Sequence, residues 1–320
     1  MRTWLTDTFG IEHPILSAPM TGRAGGALAG AVSAAGGLGL IGAGRSVTAD
    51  WITEQAAIAT AGGRPFGIGL MTWALPQTPD LLAATLEARP ALVSLSFGDP
   101  APYMADVHRA GALVAMQVNT LADLRVAESA GVDVVVAQGT DAGGHTGRIG
   151  TLPLLQQVLE STRLPVLAAG GIGSGRGLAA VLAAGAAGAW IGTALLACPE
   201  ADGPRAAQDR ILAAGGEDTV YTNVVDQALG VPWPERWGMR VLRNEFTDRW
   251  HGHRVTDEPQ AAAALRAARE AGDFDVAELD AGQGVGMVRE RRSAGQVVSE
   301  IAAGAADRLA ALTEPGAGRP

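Results

Sequence analysis

Alternation constrains this chain more than any single residue does. Through the first two-thirds of the sequence, short apolar runs at 15–18, 38–42, 66–71, 91–97, 113–118, 132–138, 166–169 and 189–191 are separated by Ala/Leu-rich stretches of helical spacing. Those stretches fall at 24–35, 48–61, 79–88, 101–110, 121–130, 152–160 and 176–184. A run that is apolar throughout, rather than at every second residue, reads as a strand buried on both faces. Strands of that kind joined by helices build a parallel sheet with helices packed outside. Eight such units suit a closed (β/α)8 TIM barrel better than an open doubly wound sheet. Gly111 and Gly131, each just ahead of an apolar run, mark helix ends.

The pattern breaks after Cys198-Pro199. From there to about Gly282 the chain is richer in charge, Trp and Pro, as in Val231-Pro-Trp-Pro-Glu-Arg-Trp237, and shows helical pieces such as 261–271 but no strand alternation. The expected organisation is therefore a barrel built from 1–198 and 283–320. A smaller helical insertion, 199–282, lies over its C-terminal face. The segment 294–312 places Ile301, Ala305 and Leu309 at spacing four, which predicts a last amphipathic helix on the barrel. Residues 314–320 read as a frayed tail.

Composition excludes several chemistries. All 24 basic residues are arginine, so neither Schiff-base lysine chemistry nor a Walker-type phosphate lysine is available. The net charge of −9 opposes general nucleic-acid binding. The single cysteine, Cys198, precludes an internal disulfide and multi-cysteine metal sites. No signal-peptide pattern or lipid-like apolar stretch is evident, so a cytoplasmic protein with no membrane association is the expectation.

In a barrel the chemistry collects at the C-terminal ends of the strands. Four predicted ends carry unusual residues: Ser17-Ala-Pro-Met20, Gln138 with the loop 138–149, Ala169-Gly-Gly-Ile-Gly-Ser-Gly175, and Ile191-Gly-Thr193. Glycines after the seventh strand and Gly-Thr after the eighth are what a barrel uses to aim backbone N–H groups and a helix N-terminus at a phosphate. The first of these does not fit G-x-G-x-x-G, so it is not a dinucleotide fingerprint. His145, set among the glycines of 138–149, is the one side chain there that exchanges a proton near neutral pH; the plainer alternative is a solvated histidine on a flexible loop. His251-Gly-His253 lacks further ligands nearby and reads as a surface pair, so no metal site is expected. His13 reads as structural and His108 as solvated. Trp233 and Trp237 read as packing within the insertion, with a lid over the bound ligand as the alternative use of either.

These motifs together resemble the nitronate monooxygenases, a family of FMN-dependent barrels. The matching pieces are Pro14-Ile-Leu-Ser-Ala-Pro-Met20, Ala31-Val-Ser-Ala-Ala-Gly-Gly-Leu-Gly39, Ala137-Gln-Gly-Thr-Asp-Ala-Gly-Gly-His145, Ala168-Ala-Gly-Gly-Ile172, Trp190-Ile-Gly-Thr193 and Gly282-Gln-Gly-Val-Gly286. The run ending in His145 is the most specific. The resemblance implies FMN as cofactor, with Pro19 and Met20 along the flavin ring. It places Gln117, Gln138 and Gly143 on the flavin or its ribityl chain, and Gly170, Gly171, Trp190, Ile191, Gly192 and Thr193 around the phosphate. His145 is implied at the reactive edge, as the base α to a nitro group or as a partner of the anionic nitronate. Relatives often read Phe-Gly-Val-Asn-Leu at the third strand; here it is Phe66-Gly-Ile-Gly-Leu70, so Gly69 cannot offer the flavin an amide.

The implied reaction oxidises alkyl nitronates, and by extension nitroalkanes, with O2 to carbonyl compounds and nitrite. An NAD(P)H-dependent flavin reductase of the enoyl-acyl-carrier-protein or quinone type is the enzymatic alternative; the former usually has Glu where this chain has Gln138. A non-catalytic barrel that only binds a ligand is the alternative of another class. Small-molecule substrate and O2 are the expected partners, with a homodimer as one open assembly.

Overall fold

A computed structural model describes residues 1–256 and 258–313; the tail from 314 lies outside the described residues. The strands in chain order are β1 (Ile15–Ser17), β2 (Gly39–Ala43), β3 (Phe66–Met71), β4 (Leu92–Ser96), β5 (Leu113–Val118), β6 (Val134–Gln138), β7 (Gly144–Thr146), β8 (Val166–Ala169) and β9 (Gly188–Ile191). All but β7 form one parallel sheet in the order β1-β9-β8-β6-β5-β4-β3-β2. Its two ends meet. Leu16 bridges Leu38, the Ser17 N–H donates to the Leu38 carbonyl at 3.0 Å, and the Leu38 N–H donates to the Ile15 carbonyl at 2.9 Å. The sheet is thus a closed (β/α)8 barrel, as the alternation predicts.

Side chains alternate across the barrel wall, as the period of two requires. Leu16, Leu38, Leu40, Leu92, Val134, Val136, Leu167 and Trp190 fill the interior; Leu5 and Ile11 join them, Leu5 from the short helix α1 (Trp4–Phe9). Ile15, Ile41, Ile68, Val93, Val114, Val135 and Ile191 face outward into the helix layer. The crossovers are α2 (Gly26–Ala34), α3 (Ala49–Thr60), α4 (Pro79–Glu87), α5 (Ala101–Arg109), α6 (Leu121–Ala130), α7 (Thr151–Ser161) and α8 (Gly175–Ala183). Thr48, Thr120 and Ser174 start α3, α6 and α8 by accepting a backbone N–H in the first turn. His108 on α5 is not simply solvated: its Nε2 meets Asp133 Oδ2 at 2.8 Å, and the same oxygen accepts the Val114 N–H.

Between β9 and the last helix lie α9 (Arg205–Ala213), β10 (Thr219–Thr222), α10 (Val224–Leu229), β11 (Gly238–Leu242), α11 (Glu245–Trp250) and α12 (Pro259–Ala271). The sequence reading allowed only helices here. Instead β10 and β11 pair antiparallel, and β11 pairs antiparallel with β7, so the expected loop 138–149 contains a strand. These strands escaped detection because β11 carries a buried arginine and its partner β7 is three residues long and far away in sequence. Arg240 on β11 donates to the Thr140 carbonyl at 2.6 Å, which satisfies its burial and ties the loop down. The segment has its own apolar cluster, including Val220, Val225, Met239, Val241, Phe246 and Leu265. The chain then returns as α13 (Ala294–Thr313), which packs against α8 and α2 and completes the helix ring. No helix among the described residues is long and apolar enough to cross a membrane.

Candidate active site

A cavity of about 420 Å³ opens at the C-terminal ends of the barrel strands, within the range of small-molecule sites. Pro19, Met20, Gln117, Gln138, Gly143, His145, Gly170, Gly171, Trp190, Gly192 and Thr193 all line it. Ile191 does not. It follows the inward-facing Trp190 by one residue, so its side chain enters the helix layer, and its carbonyl accepts the Ala18 N–H.

One end of the cavity is a backbone cradle. After β8, Gly170 and Gly171 adopt φ of +107° and +68°, which favours glycine and turns the chain inward. Among the described residues, the N–H groups of Gly171, Ile172, Gly173, Gly192 and Thr193 have no acceptor in the protein. Buried or cavity-facing donors left open in this way, ahead of the N-terminus of α8, fit a phosphate. The Thr193 hydroxyl accepts the Gly282 N–H at 2.9 Å, leaving its own proton for an anion.

The middle of the cavity suits a planar ring. Gly69 borders it because the Pro19 ring occupies the space a Cβ would need, which accounts physically for glycine at this position. Gly143 lies so close to the backbone of Ala281 that a Cβ would meet the Ala281 carbonyl carbon at 2.7 Å. Gln138 is oriented by a chain of amides. Trp237 Nε1 donates to Asn119 Oδ1 at 3.0 Å, and Asn119 Nδ2 donates to Gln138 Oε1 at 3.1 Å. The Gln138 Nε2 hydrogens are therefore the end of that side chain left open. Neither Asn119 nor the role of Trp237 was evident from sequence, since both depend on the insertion folding back onto β5 and β6.

The other end is built around His145. Its Nε2 lies 2.8 Å from Asp226 Oδ2, and both side chains are 12% exposed. A carboxylate at that distance places the proton on Nε2, which leaves Nδ1 without a protein partner. Trp233 stacks on the imidazole with ring centroids 3.6 Å apart and planes 13° from parallel. Trp73, Phe97 and Trp237 hold Trp233 edge-on. Trp237 therefore reaches out of the insertion to Asn119 and Phe97 of the barrel, and Trp233 covers the histidine and forms part of the cavity wall. Asp226 was missed too; its one sequence signal is an acid within the largely apolar run Val224-Val225-Asp226-Gln227-Ala228. Asp280 also lines the cavity, and enclosure by protein pushes its carboxyl up to about 6. Cys198 lies away from this site, and burial pushes its thiol up to about 12, so it offers no thiolate. His251 and His253 are exposed on the insertion.

A closed barrel with a backbone cradle that fits a phosphate, an oriented amide donor and a carboxylate-held histidine is the layout of a cofactor-dependent barrel enzyme. Comparison with known proteins narrows this. The sequence profile of the nitronate monooxygenase family matches residues 2–83 and 79–304, and the chain belongs to that family. A nitronate monooxygenase of Paraburkholderia phytofirmans is 33% identical, the match covering 93% of each chain. Among solved structures, a FabK protein of Thermotoga maritima superposes with a TM-score of 0.86 at 32% identity, covering 98% of each chain. A nitroalkane oxidase of Streptomyces ansochromogenes superposes with a TM-score of 0.83 at 33% identity, covering 97% of this chain and 99% of that one. The protein is accordingly a flavin-dependent oxidoreductase.

Proposed function

We propose that the flavin is FMN and that the protein oxidises alkyl nitronates with O2 to carbonyl compounds and nitrite. The observation that carries this reading is His145, held by Asp226 and stacked under Trp233, at the far end of a cavity whose near end is a single phosphate cradle. One cradle with no dinucleotide fingerprint beside it favours FMN over FAD. In this reading Gly170, Gly171, Gly192 and Thr193 hold the phosphate, Trp190 borders it, and Pro19, Met20, Gln117, Gln138 and Gly143 flank the ring and ribityl chain. When bound, the flavin would supply the electron acceptor and its reoxidation by O2.

The protein's own part is to orient and to handle a proton. Asp226 fixes the imidazole and keeps Nδ1 as the nitrogen presented to substrate. For a neutral nitroalkane, Nδ1 takes the α-proton while Nε2–H stays bonded to Asp226. For a nitronate, already deprotonated, the charged ring instead stabilises the anionic oxygens. Trp233 excludes water from one face of the ring. Residues 199–282 act as the substrate-side domain, because they contribute both Asp226 and Trp233.

The likeness to the FabK protein favours one second reading, an NAD(P)H-dependent flavin reductase. Three measurements decide between them: chromatography of the released flavin against FMN and FAD standards, aerobic turnover of a primary nitronate, and anaerobic mixing with NADH and NADPH. FMN, nitrite formation and no rapid bleaching by either nucleotide are expected. Rapid bleaching without nitronate turnover would replace this reading with the reductase one.

A further inference from the structure

One carboxyl in the cavity has no part in the chemistry above. Asp280 lies on the stretch between α12 and α13. Its backbone bridges Val241 of β11, and the Leu242 N–H donates to the Leu279 carbonyl at 2.9 Å. The main chain is thereby fixed to the small sheet that carries His145, while the residue faces the cavity. Its Oδ2 stands 3.5 Å from where a Cβ on Gly144 would sit, one residue before His145. Glycine at 144 answers to its φ of +71°. Among the described residues the Asp280 carboxyl has neither a hydrogen bond nor an ion pair.

The charged groups facing it come from four places: His145 on β7, Asp226 on α10, Glu278 two residues earlier, and Arg23 from the segment after β1. None is bonded to it. Glu278 pairs with Arg269 of α12, Arg23 donates to the Asp202 carbonyl at 3.2 Å, and Asp226 is engaged with His145. Asp280 is exposed through the cavity, whose walls enclose the carboxyl. That enclosure is the largest reason its proton is held to about pH 6; His145 opposes the shift, and Glu278 and Asp226 add to it.

We propose that Asp280 sets the charge state of substrate that the cavity accepts: as a carboxylic acid it donates a hydrogen bond to an anionic oxygen, and as a carboxylate it repels that anion. The inference rests on the reading of this site as one that takes nitronates. No bond to carbon changes in the step; the proton remains on Asp280 and is shared with the ligand oxygen. A neutral nitroalkane carries no net charge for the carboxylate to repel, so the preference for the anion fades as pH rises.

The test is calorimetric titration of the flavin-loaded protein with sodium nitrite, an anion across the range, from pH 5.5 to 8. Only the protonated fraction binds well, so the wild-type Kd should rise by up to about tenfold per pH unit above about 6. Asp280→Asn, a permanent neutral donor, should lose markedly less affinity than wild type between pH 5.5 and pH 8. Asp280→Ser, smaller and also neutral, should behave alike and covers the case in which Asn disturbs folding. His145 is unchanged in all three proteins. A slope that persists unchanged in the neutral variants therefore overturns the proposal, as does a wild-type Kd that does not vary with pH. Because the titration reads binding, a protein that shows this behaviour yet fails to turn over nitronates separates the failure of the substrate reading from the failure of this one.

Discussion

Cutting the link between Asp226 and His145 should cost activity without costing cofactor. The Nε2–Oδ2 distance is 2.8 Å and each side chain is 12% exposed, so little water competes for the bond. A hydrogen bond to a charged group in such a setting contributes about 1.5–3 kcal/mol. The Trp233 stack remains when Asp226 is replaced, so only the hydrogen bond is lost. At about 1.36 kcal/mol per tenfold, Asp226→Ala should lower kcat/KM by about 10- to 100-fold. Asp226→Asn keeps an acceptor oxygen but not the charge, and should fall between alanine and wild type. The assay is steady-state nitronate oxidation with flavin content and Tm measured alongside. A second readout separates orientation from general disruption. The Asp226 charge helps to raise Asp280, so Asp226→Asn should move the midpoint of the nitrite-binding pH profile to lower pH. An alanine variant with wild-type kcat/KM would refute the claim that His145 depends on Asp226.

Other outcomes follow from the same geometry. Thr193→Val removes the hydroxyl available to the phosphate and should weaken FMN binding by about tenfold or more, read by fluorescence titration of the apoprotein; unchanged affinity would move the phosphate away from β9. Trp233→Ala should keep its flavin and lose roughly two- to tenfold in kcat/KM, the range expected for one stacked pair. Asp280→Asn should also alter stability with a definite sign. The folded protein holds this proton to about pH 6 against 3.8 for an ordinary aspartate. The resulting stabilisation is complete below 3.8 and is lost as pH rises through about 6. The asparagine variant should therefore be the more stable protein above pH 6, by about 1 kcal/mol once contact with cavity water is allowed for. Thermal unfolding at pH 4 and pH 8 checks it, and an equal difference at both pH values would contradict the assignment.

The barrel was legible because its signal is local and repeated. Continuous apolar strands, helix caps and glycine at helix ends each act within a few residues, and they agree with one another. The strand ends were legible for the same reason, since Gly170-Gly171 and Gly192-Thr193 carry their meaning in the backbone. What escaped was everything that depends on residues 199–282 meeting 138–149. Arg240 reads as a charge that should face solvent; only Thr140, a hundred residues earlier, explains its burial. Asp226 reads as an ordinary acid on a short helix until His145 is placed against it. Trp233 reads as packing because its ligand-side neighbour is another side chain of the protein. Ile191 was assigned to the phosphate with its neighbours, and the alternation of a strand sends it the other way.

The antiparallel ladder of β11 with β7 pairs Met239 with His145. The histidine's main chain is therefore stitched into the insertion as well as into the barrel. A cap joined in this way cannot swing clear without moving His145, and the exposed Arg45 and Ser46 mark an open edge of the cavity. For protein engineering the consequence is direct. Grafting an insertion from a relative to change substrate range would also reset the position of His145, and the two properties cannot be tuned one at a time.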